Sequence, residues 1–275
     1  MCVKVFLAGA SGAVGRRLLP MLLERGYEVL AISRSAERTK SLRRAGAQAR
    51  VLDVFEGDAL LDLLGGFRPQ WVIHQLTDLP PGLDPARMAE ATPRNARLRR
   101  KGTANLVAAA RAAGAQKLVA QSIAWAYAPG ELPHREDQPL DLAAEGARGI
   151  SVGGVAALER AVLEAAPLQG IVLRYGRLYG PGTGFEQPDA RLALHVDDAA
   201  RAALLALEWG KPGSYNLAES DIEVCSAKAR HALGWRPGFH LQEDQSGAIA
   251  GGVRHRPGLR PAADPGRSLR QGDRS

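Results

Sequence analysis

A glycine-rich turn near the start of the chain constrains the fold more than any other stretch. Residues 3–15 read VKVFLAGASGAVG, so a short apolar run leads directly into Gly9, Gly12 and Gly15. An amphipathic segment follows at once, over residues 16–25. An apolar run, a tight turn and an amphipathic segment in this order predict a β-strand, a glycine turn and an α-helix that packs back on the strand.

The three glycines are needed for different physical reasons. Gly9 lets the chain turn where a Cβ would clash, Gly12 lets a diphosphate approach the backbone, and Gly15 lets the helix pack closely on its strand. The N-terminus of the helix then offers unpaired N–H groups and a partial positive charge to phosphates. We therefore predict that this turn binds a dinucleotide, and the alternative is a turn with a structural role alone.

Strand-like and helix-like segments go on alternating after the turn. Short apolar runs at residues 27–32, 49–52, 70–74 and 117–121 are separated by helix-like segments at residues 37–45, 58–64 and 87–114. This alternation predicts an α/β fold, a Rossmann-type doubly wound parallel sheet with right-handed crossovers, whose ligands gather at the carboxyl ends of the strands.

The domain organisation follows from the same pattern. We expect a Rossmann domain over residues 1–180 and a small, shortened C-terminal substrate subdomain over residues 181–240, from which a helix at residues 195–210 returns to the core. Asp197 and Asp198 open that helix, and their position predicts helix capping rather than paired-carboxylate catalysis. Residues 241–275 are rich in Gly, Pro and Arg, which predicts a disordered tail.

Composition excludes several classes of protein. The 275 residues contain no apolar run of 18 residues, and residues 1–7 already form the first strand, so neither a membrane span nor a signal peptide is predicted. Two cysteines give neither a disulfide framework nor a metal site, and we expect a cytoplasmic protein. The net charge of +7 is scattered and lacks interleaved aromatic residues, so nucleic-acid binding is not predicted.

The end of the second strand bears on the choice of cofactor. That position faces the adenosine ribose in dinucleotide-binding folds, where an acidic residue favours NAD. Ser33 and Arg34 stand there instead, and they offer hydrogen-bond donors and a positive charge suited to a 2′-phosphate. We expect NADP to be preferred over NAD, although Arg34 as a solvated loop residue is the alternative.

Several further motifs occur in order along the chain. They are VIH at 72–74, GTANLVAAA at 102–110, KLVAQSIAWAY at 117–127, LRYGRLYGPG at 173–182 and HVDDAARA at 195–202. Together with the glycine turn, they make the chain resemble the NAD-dependent epimerase/dehydratase family, the extended short-chain dehydrogenases/reductases. The resemblance covers about residues 1–235 and implies a nicotinamide cofactor across the strand ends, a small-molecule substrate and a homodimer formed by the 87–114 helix and the helix around Ser151.

The resemblance also implies the residues of the site. Ser122 matches the substrate-orienting hydroxyl of the family. The residues expected at the cofactor are Gly9, Ser11, Gly12, Ala13, Val14 and Gly15 at the diphosphate, Ser33 and Arg34 at the ribose, Asp53 and Val54 at adenine, Gln75, Leu76 and Thr77 at the inner half, and Tyr175 at the end of the sixth strand.

The chain departs from the family where the family carries its proton donor. The resemblance implies a Tyr, a Lys four residues later and a downstream Glu on one helix, and aligning Glu159 with that Glu puts Ser151 and Val155 at the Tyr and Lys positions. A serine hydroxyl is a far weaker acid than a phenol, and a valine supplies no cation. Tyr127 lies five residues after Ser122 and is a candidate replacement, although packing in a loop explains it equally well.

Two functional hypotheses from different classes follow. The first is an NAD(P)-dependent oxidoreductase or epimerase that acts on a small carbonyl, alcohol or sugar-derived substrate, with Ser122 and Tyr127 as catalytic residues. The second is a catalytically degenerate sensor that binds NAD(P) and passes its state to a partner. The short segment at residues 183–194, where the resemblance implies a larger substrate-binding insertion, predicts a less enclosed cleft.

Overall fold

The computed structural model describes residues 2–188 and 191–241. Its strands lie close to the predicted positions, since each apolar run fixes where a strand must be buried. They are β1 (Lys4–Ala8), β2 (Glu28–Ser33), β3 (Gln48–Val51), β4 (Trp71–His74), β5 (Lys117–Ile123), β6 (Gln169–Tyr175), β7 (Arg177–Tyr179), β8 (Ala193–His195) and β9 (Gly213–Leu217).

The helices occupy the segments between these strands. They are α1 (Ala13–Glu24), α2 (Ala36–Arg44), α3 (Gly57–Phe67), α4 (Met88–Arg97), α5 (Thr103–Ala112), α6 (Gly146–Leu163), α7 (Val196–Trp209) and α8 (Ala227–Leu233).

Seven of the strands form one parallel sheet, which confirms the predicted Rossmann-type fold. The strand order is β3-β2-β1-β4-β5-β6-β9, and each neighbouring pair is parallel. The chain moves outward from β1 to β3 and then returns to the other side of β1 to form β4. This reversal of direction opens a crevice at the carboxyl ends of β1 and β4, where ligands bind in open α/β sheets.

Both faces of the sheet are covered by helices, so the central strands are apolar on both sides. Val5 and Leu7 face a core that α1, α7 and α8 complete. Phe6 faces the opposite core, which α3, α5 and α6 complete. All three side chains are fully buried, and β1 is therefore held rigidly where it delivers the glycine turn.

Two helix predictions were wrong in instructive ways. The helix predicted over residues 87–114 is divided into α4 and α5 by one π-helical turn at Leu98–Gly102. The helix predicted over residues 58–64 continues through Gly65 and Gly66 to Phe67, whose ring is buried in the core. Burial of an apolar ring outweighs the cost of two glycines in a helix.

The two aspartates at the start of α7 do not cap the helix, which corrects the sequence prediction. The cap is His195, whose Nδ1 accepts from the Asp197 N–H at 3.2 Å. Asp197 pairs with Arg17 and accepts from the backbone of Leu241 at 2.9 Å. Asp198 accepts from the backbone N–H groups at positions 238 and 239. The two carboxylates therefore hold the segment after α8 against the core.

The strands β7 and β8 pair in a separate two-stranded sheet beside the main one. The disordered tail predicted for residues 241–275 lies, apart from Leu241, outside the described residues. The domain boundaries and the homodimer stay predictions. Among the described residues, no helix is both long and apolar enough to cross a membrane.

Candidate functional site

A cavity of about 340 Å³ lies at the carboxyl edge of the sheet. We call it the edge cavity, and it extends from the glycine turn past the ends of β2, β3 and β4. Ten of the predicted cofactor residues line it, namely Gly9, Ser11, Gly12, Ser33, Arg34, Asp53, Val54, Gln75, Leu76 and Thr77. Ten of the seventeen residues that line the edge cavity were thus predicted at the cofactor from the sequence.

The glycine turn has the geometry that the sequence predicted. Gly9 has φ of 94°, and a Cβ there would lie 2.5 Å from the carbonyl oxygen of Gln75. A Cβ at Gly15 would lie 2.1 Å from the carbonyl oxygen of Gly9. Both distances are far below contact, so a side chain at Gly9 would push the turn away from the loop after β4, and one at Gly15 would push α1 away from the turn.

The N-terminus of α1 faces the edge cavity through Ser11 and Gly12. Gly12 is the N-cap residue, and no side chain caps the helix. Ala13, Val14 and Gly15, which were predicted at the diphosphate, form the first turn behind the cavity wall. Because the first N–H groups of a helix have no partner within the helix, this turn offers donors and positive potential to an anion.

Serine and arginine side chains line the end of the edge cavity next to β2. Ser33 and Arg34 were predicted there, whereas Ser35 and Arg38 were missed. The Ser35 hydroxyl accepts from the Arg38 N–H at 3.3 Å and so starts α2. Arg34 contacts Asp78 at 3.4 Å, but it is mostly exposed, and such a surface pair holds its guanidinium only weakly.

The opposite wall is held by the loop after β3. Asp53 Oδ1 accepts from the backbone N–H of Phe55 at 3.0 Å. Asn105 of α5 donates to the carbonyl oxygens of Val54 and Phe55 at 3.0 and 3.3 Å. These bonds fix Asp53 and Val54 in the cavity wall, as predicted for residues that would face adenine.

Gln75 carries an unpaired acceptor at the inner end of the edge cavity. Its side chain is 5% exposed, and its Nε2 donates to the hydroxyl of Tyr175 at 3.1 Å. Tyr175 in turn donates to the carbonyl of Ala199 at 3.3 Å, and burial raises the pKa of its phenol. Oε1 of Gln75 has no partner among the described residues. Tyr175 therefore lies behind the cavity wall and orients Gln75.

Ser122, predicted to be catalytic, belongs to a buried ionic network. Its hydroxyl donates to Glu159 Oε1 at 2.6 Å, and the residue is 4% exposed. Glu159 also accepts two hydrogen bonds from Arg174, at 3.0 and 2.7 Å. The Ser122 proton is thus directed at α6 and away from the edge cavity.

Tyr127, the second predicted catalytic residue, joins the same network from the other side. Its hydroxyl accepts from Arg174 Nη1 at 2.6 Å and donates to Asn216 Oδ1 at 2.7 Å. The residue is 4% exposed, its ring stacks on His134, and burial raises the pKa of its phenol. The catalytic roles of Ser122 and Tyr127 stay predictions, and neither residue lines the edge cavity.

The positions of the missing Tyr and Lys lie on the inward face of α6. Val155 is fully buried, and Ser151 is half-buried. Arg99, from the π-helical turn, donates to the Ser151 hydroxyl at 3.2 Å. Sequence reasoning missed Arg99, although its spacing from Asn95 and Thr103 puts it on the helix face that packs inward.

The arrangement fits a dinucleotide on three observations. A glycine turn that cannot hold a Cβ lies under the cavity, an uncapped helix N-terminus faces it, and an unpaired buried acceptor closes its inner end. These features suit a diphosphate at the turn and a hydrogen-bond donor, such as an amide or a hydroxyl, at Gln75.

Comparison with known proteins also indicates a protein that binds a nicotinamide dinucleotide. Residues 5–193 match the NAD dependent epimerase/dehydratase family. The chain is 40% identical over 246 residues to a 3-diazoavenalumate denitrifying reductase from a Streptomyces species, covering 80% of this chain and 77% of that protein. It is 31% identical over 177 residues to a dTDP-4-dehydrorhamnose reductase from Streptomyces griseus, covering 64% of this chain and 50% of that protein.

Solved structures share the fold at low sequence identity. UDP-glucose 4-epimerase from Thermotoga maritima superposes with a TM-score of 0.70 and 19% identity, over 86% of this chain and 94% of that chain. The Bordetella bronchiseptica enzyme WbmG in complex with NAD superposes with a TM-score of 0.65 and 20% identity, over 91% and 93%. These two similarities establish the fold alone.

Proposed function

The chain belongs to the NAD dependent epimerase/dehydratase family, and we propose that it is an NADPH-dependent reductase of an arenediazonium acid. Relatives named for an activity are reductases and epimerases, so the sensor alternative has no support from them. Two features support the proposal: a cavity lined by ten of the residues expected at the cofactor, and a substrate side that lacks the expected proton donor.

The cofactor half of the proposal rests on the edge cavity. The glycine turn and the first turn of α1 would hold the diphosphate, and Asp53 and Val54 would face adenine. Ser33, Arg34 and Arg38 would bind a 2′-phosphate, and residues 33–35 bring no carboxylate to compete with it. When bound, the dihydronicotinamide supplies a hydride.

The observation that carries the proposal is the state of the positions from which a proton could be donated. Ser151 and Val155 stand at the expected Tyr and Lys positions, and the hydroxyls of Ser122 and Tyr127 are committed to buried partners. A carbonyl that takes up a hydride becomes an alkoxide and needs a proton from a well-placed acid. An arenediazonium ion takes up a hydride at its terminal nitrogen without forming an oxyanion.

The reaction balances without a proton donor from the protein. The hydride adds to the terminal nitrogen of the arenediazonium and gives a neutral aryldiazene. The diazene loses its N–H proton to water, the C–N bond breaks with release of N₂, and the aryl carbon takes a proton back from water. The sum is one arenediazonium and one hydride giving one arene and one N₂. For this reaction the protein needs only to bind the cofactor and the substrate and to align them.

The relative of 40% identity supports this substrate class. Its name describes a reductase that removes nitrogen from a diazo compound, which is named as the anion of an acid. The similarity extends over 80% of this chain and supports a substrate of the same class. The loop after β4 and the loop after β7 would enclose the substrate, because Gly82 and Gly184 are in close contact there.

The test is product analysis under anaerobic conditions. The purified protein, NADPH and an arenediazonium carboxylic acid should give oxidised cofactor, arene and N₂ in equal amounts, and heat-treated protein should give none. Azo coupling to protein side chains without release of N₂, or oxidation of NADPH without arene, would contradict the proposal.

Carbonyl reduction is the second candidate function. It is favoured by Tyr127, whose hydroxyl accepts a hydrogen bond from Arg174 Nη1 at 2.6 Å, because a neighbouring guanidinium stabilises a phenolate. In this case Ser122 and Tyr127 act as the proton relay predicted from the sequence. Tyr127→Phe should then abolish reduction of a ketone or aldehyde panel, whereas the first candidate predicts no turnover of that panel by the wild type.

A further inference from the structure

Arg99 is a largely buried cation that forms no ion pair with a carboxylate of the described residues. It is 8% exposed, and within residues 2–188 and 191–241 its hydrogen bonds run only from Nη1 to the hydroxyl and carbonyl oxygens of Ser151, at 3.2 and 3.5 Å. No ion pair of Arg99 lies within 4 Å in the described part of the chain. The nearby Glu159 is already bound by Arg174 and Ser122.

Two nitrogens of the Arg99 guanidinium are unused within the described part of the chain. Nε and Nη2 make no hydrogen bond to the described residues, and neither belongs to the fully enclosed atoms without a partner, a group that consists of Gln75 Oε1. The guanidinium therefore keeps two N–H-bearing atoms beside α6 that can still donate hydrogen bonds.

A buried charge without a partner is costly, so it marks a place where an opposite charge binds. Burial lowers the pKa of Arg99 to about 10, so the guanidinium stays charged at neutral pH. His74, which faces Arg99 from β4, offers no negative charge, and burial keeps its imidazole neutral. The Glu159 carboxylate acts on Arg99 and raises its pKa, but it forms its ion pair with Arg174 and makes none with Arg99 among the described residues.

Ser151 extends the donor set. Its hydroxyl oxygen accepts from Arg99, so its own proton points elsewhere and is polarised by the guanidinium. The π-helical turn brings Arg99 to this position, and turns of this kind occur often at functional sites. A guanidinium and a polarised hydroxyl side by side form a site for an anionic oxygen.

We infer that Arg99 and Ser151 bind the carboxylate of the substrate. This inference rests on the proposed function, because it assigns the substrate's anionic group to the place where related enzymes are expected to hold their proton donor. One guanidinium matches one monoanionic carboxylate, and the diphosphate of the cofactor has its own site at the glycine turn. The positive charge thus selects and orients an aromatic acid without taking part in proton transfer.

The experiment is calorimetric titration of the NADP-loaded protein with benzoate, cinnamate and 4-hydroxycinnamate, each compared with its uncharged methyl ester. The wild type should bind at least one acid more tightly than its ester. Arg99→Gln should weaken that acid by roughly tenfold or more and leave the ester unchanged, as expected for a lost charge-assisted hydrogen bond. Arg100→Gln, an exposed change on the same turn, is the matched control and should have no effect.

Two further variants keep the test decisive. Ser151→Ala should weaken the acid several-fold, and Arg99→Lys, which keeps the charge but loses the planar fork, should fall between the wild type and Arg99→Gln. If Arg99→Gln does not fold, these two variants decide. Equal binding of acids and esters, or equal acid binding by wild type and variants, overturns the inference. Since no turnover is measured, a failed reductase assay would not imitate either result.

Discussion

Arg174 and Glu159 face each other as a two-bond ion pair, with Nε to Oε1 at 3.0 Å and Nη2 to Oε2 at 2.7 Å. Both side chains are buried, and the pair ties the end of β6 to the C-terminal part of α6. Ser122 of β5 donates to the same carboxylate. Three elements at the carboxyl edge of the sheet are therefore fixed by one carboxyl group.

Removing this carboxylate should be strongly destabilising. Glu159→Gln leaves the buried guanidinium of Arg174 without a counter-charge, and we expect a loss of about 3–5 kcal/mol in the free energy of unfolding, measured in urea. Glu90→Gln breaks the exposed pair with Arg94 and should cost less than about 0.5 kcal/mol. Similar losses in the two variants would contradict the role given to the buried pair.

The glycine turn gives a second prediction with a control on the same residue type. Gly15→Ala puts a Cβ 2.1 Å from the carbonyl oxygen of Gly9, so it should abolish cofactor binding and lower stability. Gly66→Ala lies within α3, where a Cβ meets nothing within 4 Å, and it should stabilise the protein by about 0.5–1 kcal/mol. Cofactor titration and thermal unfolding of both variants measure these effects. Full cofactor affinity in Gly15→Ala would place the dinucleotide elsewhere.

Cofactor choice should depend on the two arginines beside β2. The double variant Arg34→Gln and Arg38→Gln should weaken NADPH by roughly tenfold or more, the loss expected for a charge-assisted phosphate contact, and leave NADH nearly unchanged. The double variant Lys40→Gln and Arg44→Gln, at exposed positions of α2 outside the edge cavity, removes the same charge and is the control. Equal weakening of both cofactors would show that these arginines do not recognise a 2′-phosphate.

His74 predicts a pH dependence with a defined sign. Its Nδ1 accepts from the Leu76 N–H at 3.2 Å and its Nε2 lies 3.0 Å from the Thr103 hydroxyl, and burial lowers the pKa of its imidazole to about 4. Between about pH 6.5 and 4 the folded state binds fewer protons than the unfolded state, so stability must fall as the pH is lowered through this range.

The measurement is urea unfolding of the wild type and of His74→Gln at several pH values. The variant keeps a neutral hydrogen-bonding side chain but does not titrate. The stability advantage of the wild type over the variant should therefore shrink as the pH falls below about 6.5. An advantage that stays constant with pH would contradict the neutral, buried state of His74.

The sequence was sufficient for the main sheet and for ten of the seventeen residues that line the edge cavity. Both depend on local signals: apolar runs mark the strands, and Gly9 and Gly15 stand where the backbone leaves no space for a Cβ. Arg38 was missed because it enters the edge cavity from the first turn of α2, four residues after the predicted Arg34. Whether Arg38 reaches the edge cavity depends on the number of residues between the end of β2 and the start of α2.

The substrate side was less predictable because it depends on contacts between distant residues. Ser122, Glu159 and Arg174 come together only when β5, β6 and α6 pack, so no local pattern indicated that the serine proton was already donated to Glu159. Arg99 reaches Ser151 only because a π-helical turn replaces part of the long helix that was predicted. Such a turn has no strong local signature in a run of charged residues.

The most direct test of the account is the rate of cofactor oxidation in a preformed complex of the protein with NADPH. The complex is mixed rapidly with an arenediazonium carboxylic acid. In a separate experiment it is mixed with the matching aldehyde, in which a formyl group stands in place of the diazonium group. We predict fast oxidation of NADPH by the diazonium with release of N₂, and none by the aldehyde. The contrary result is oxidation of NADPH by the aldehyde, while the diazonium either does not react or only couples to protein side chains. That result would show that the site supplies a proton and would contradict the account.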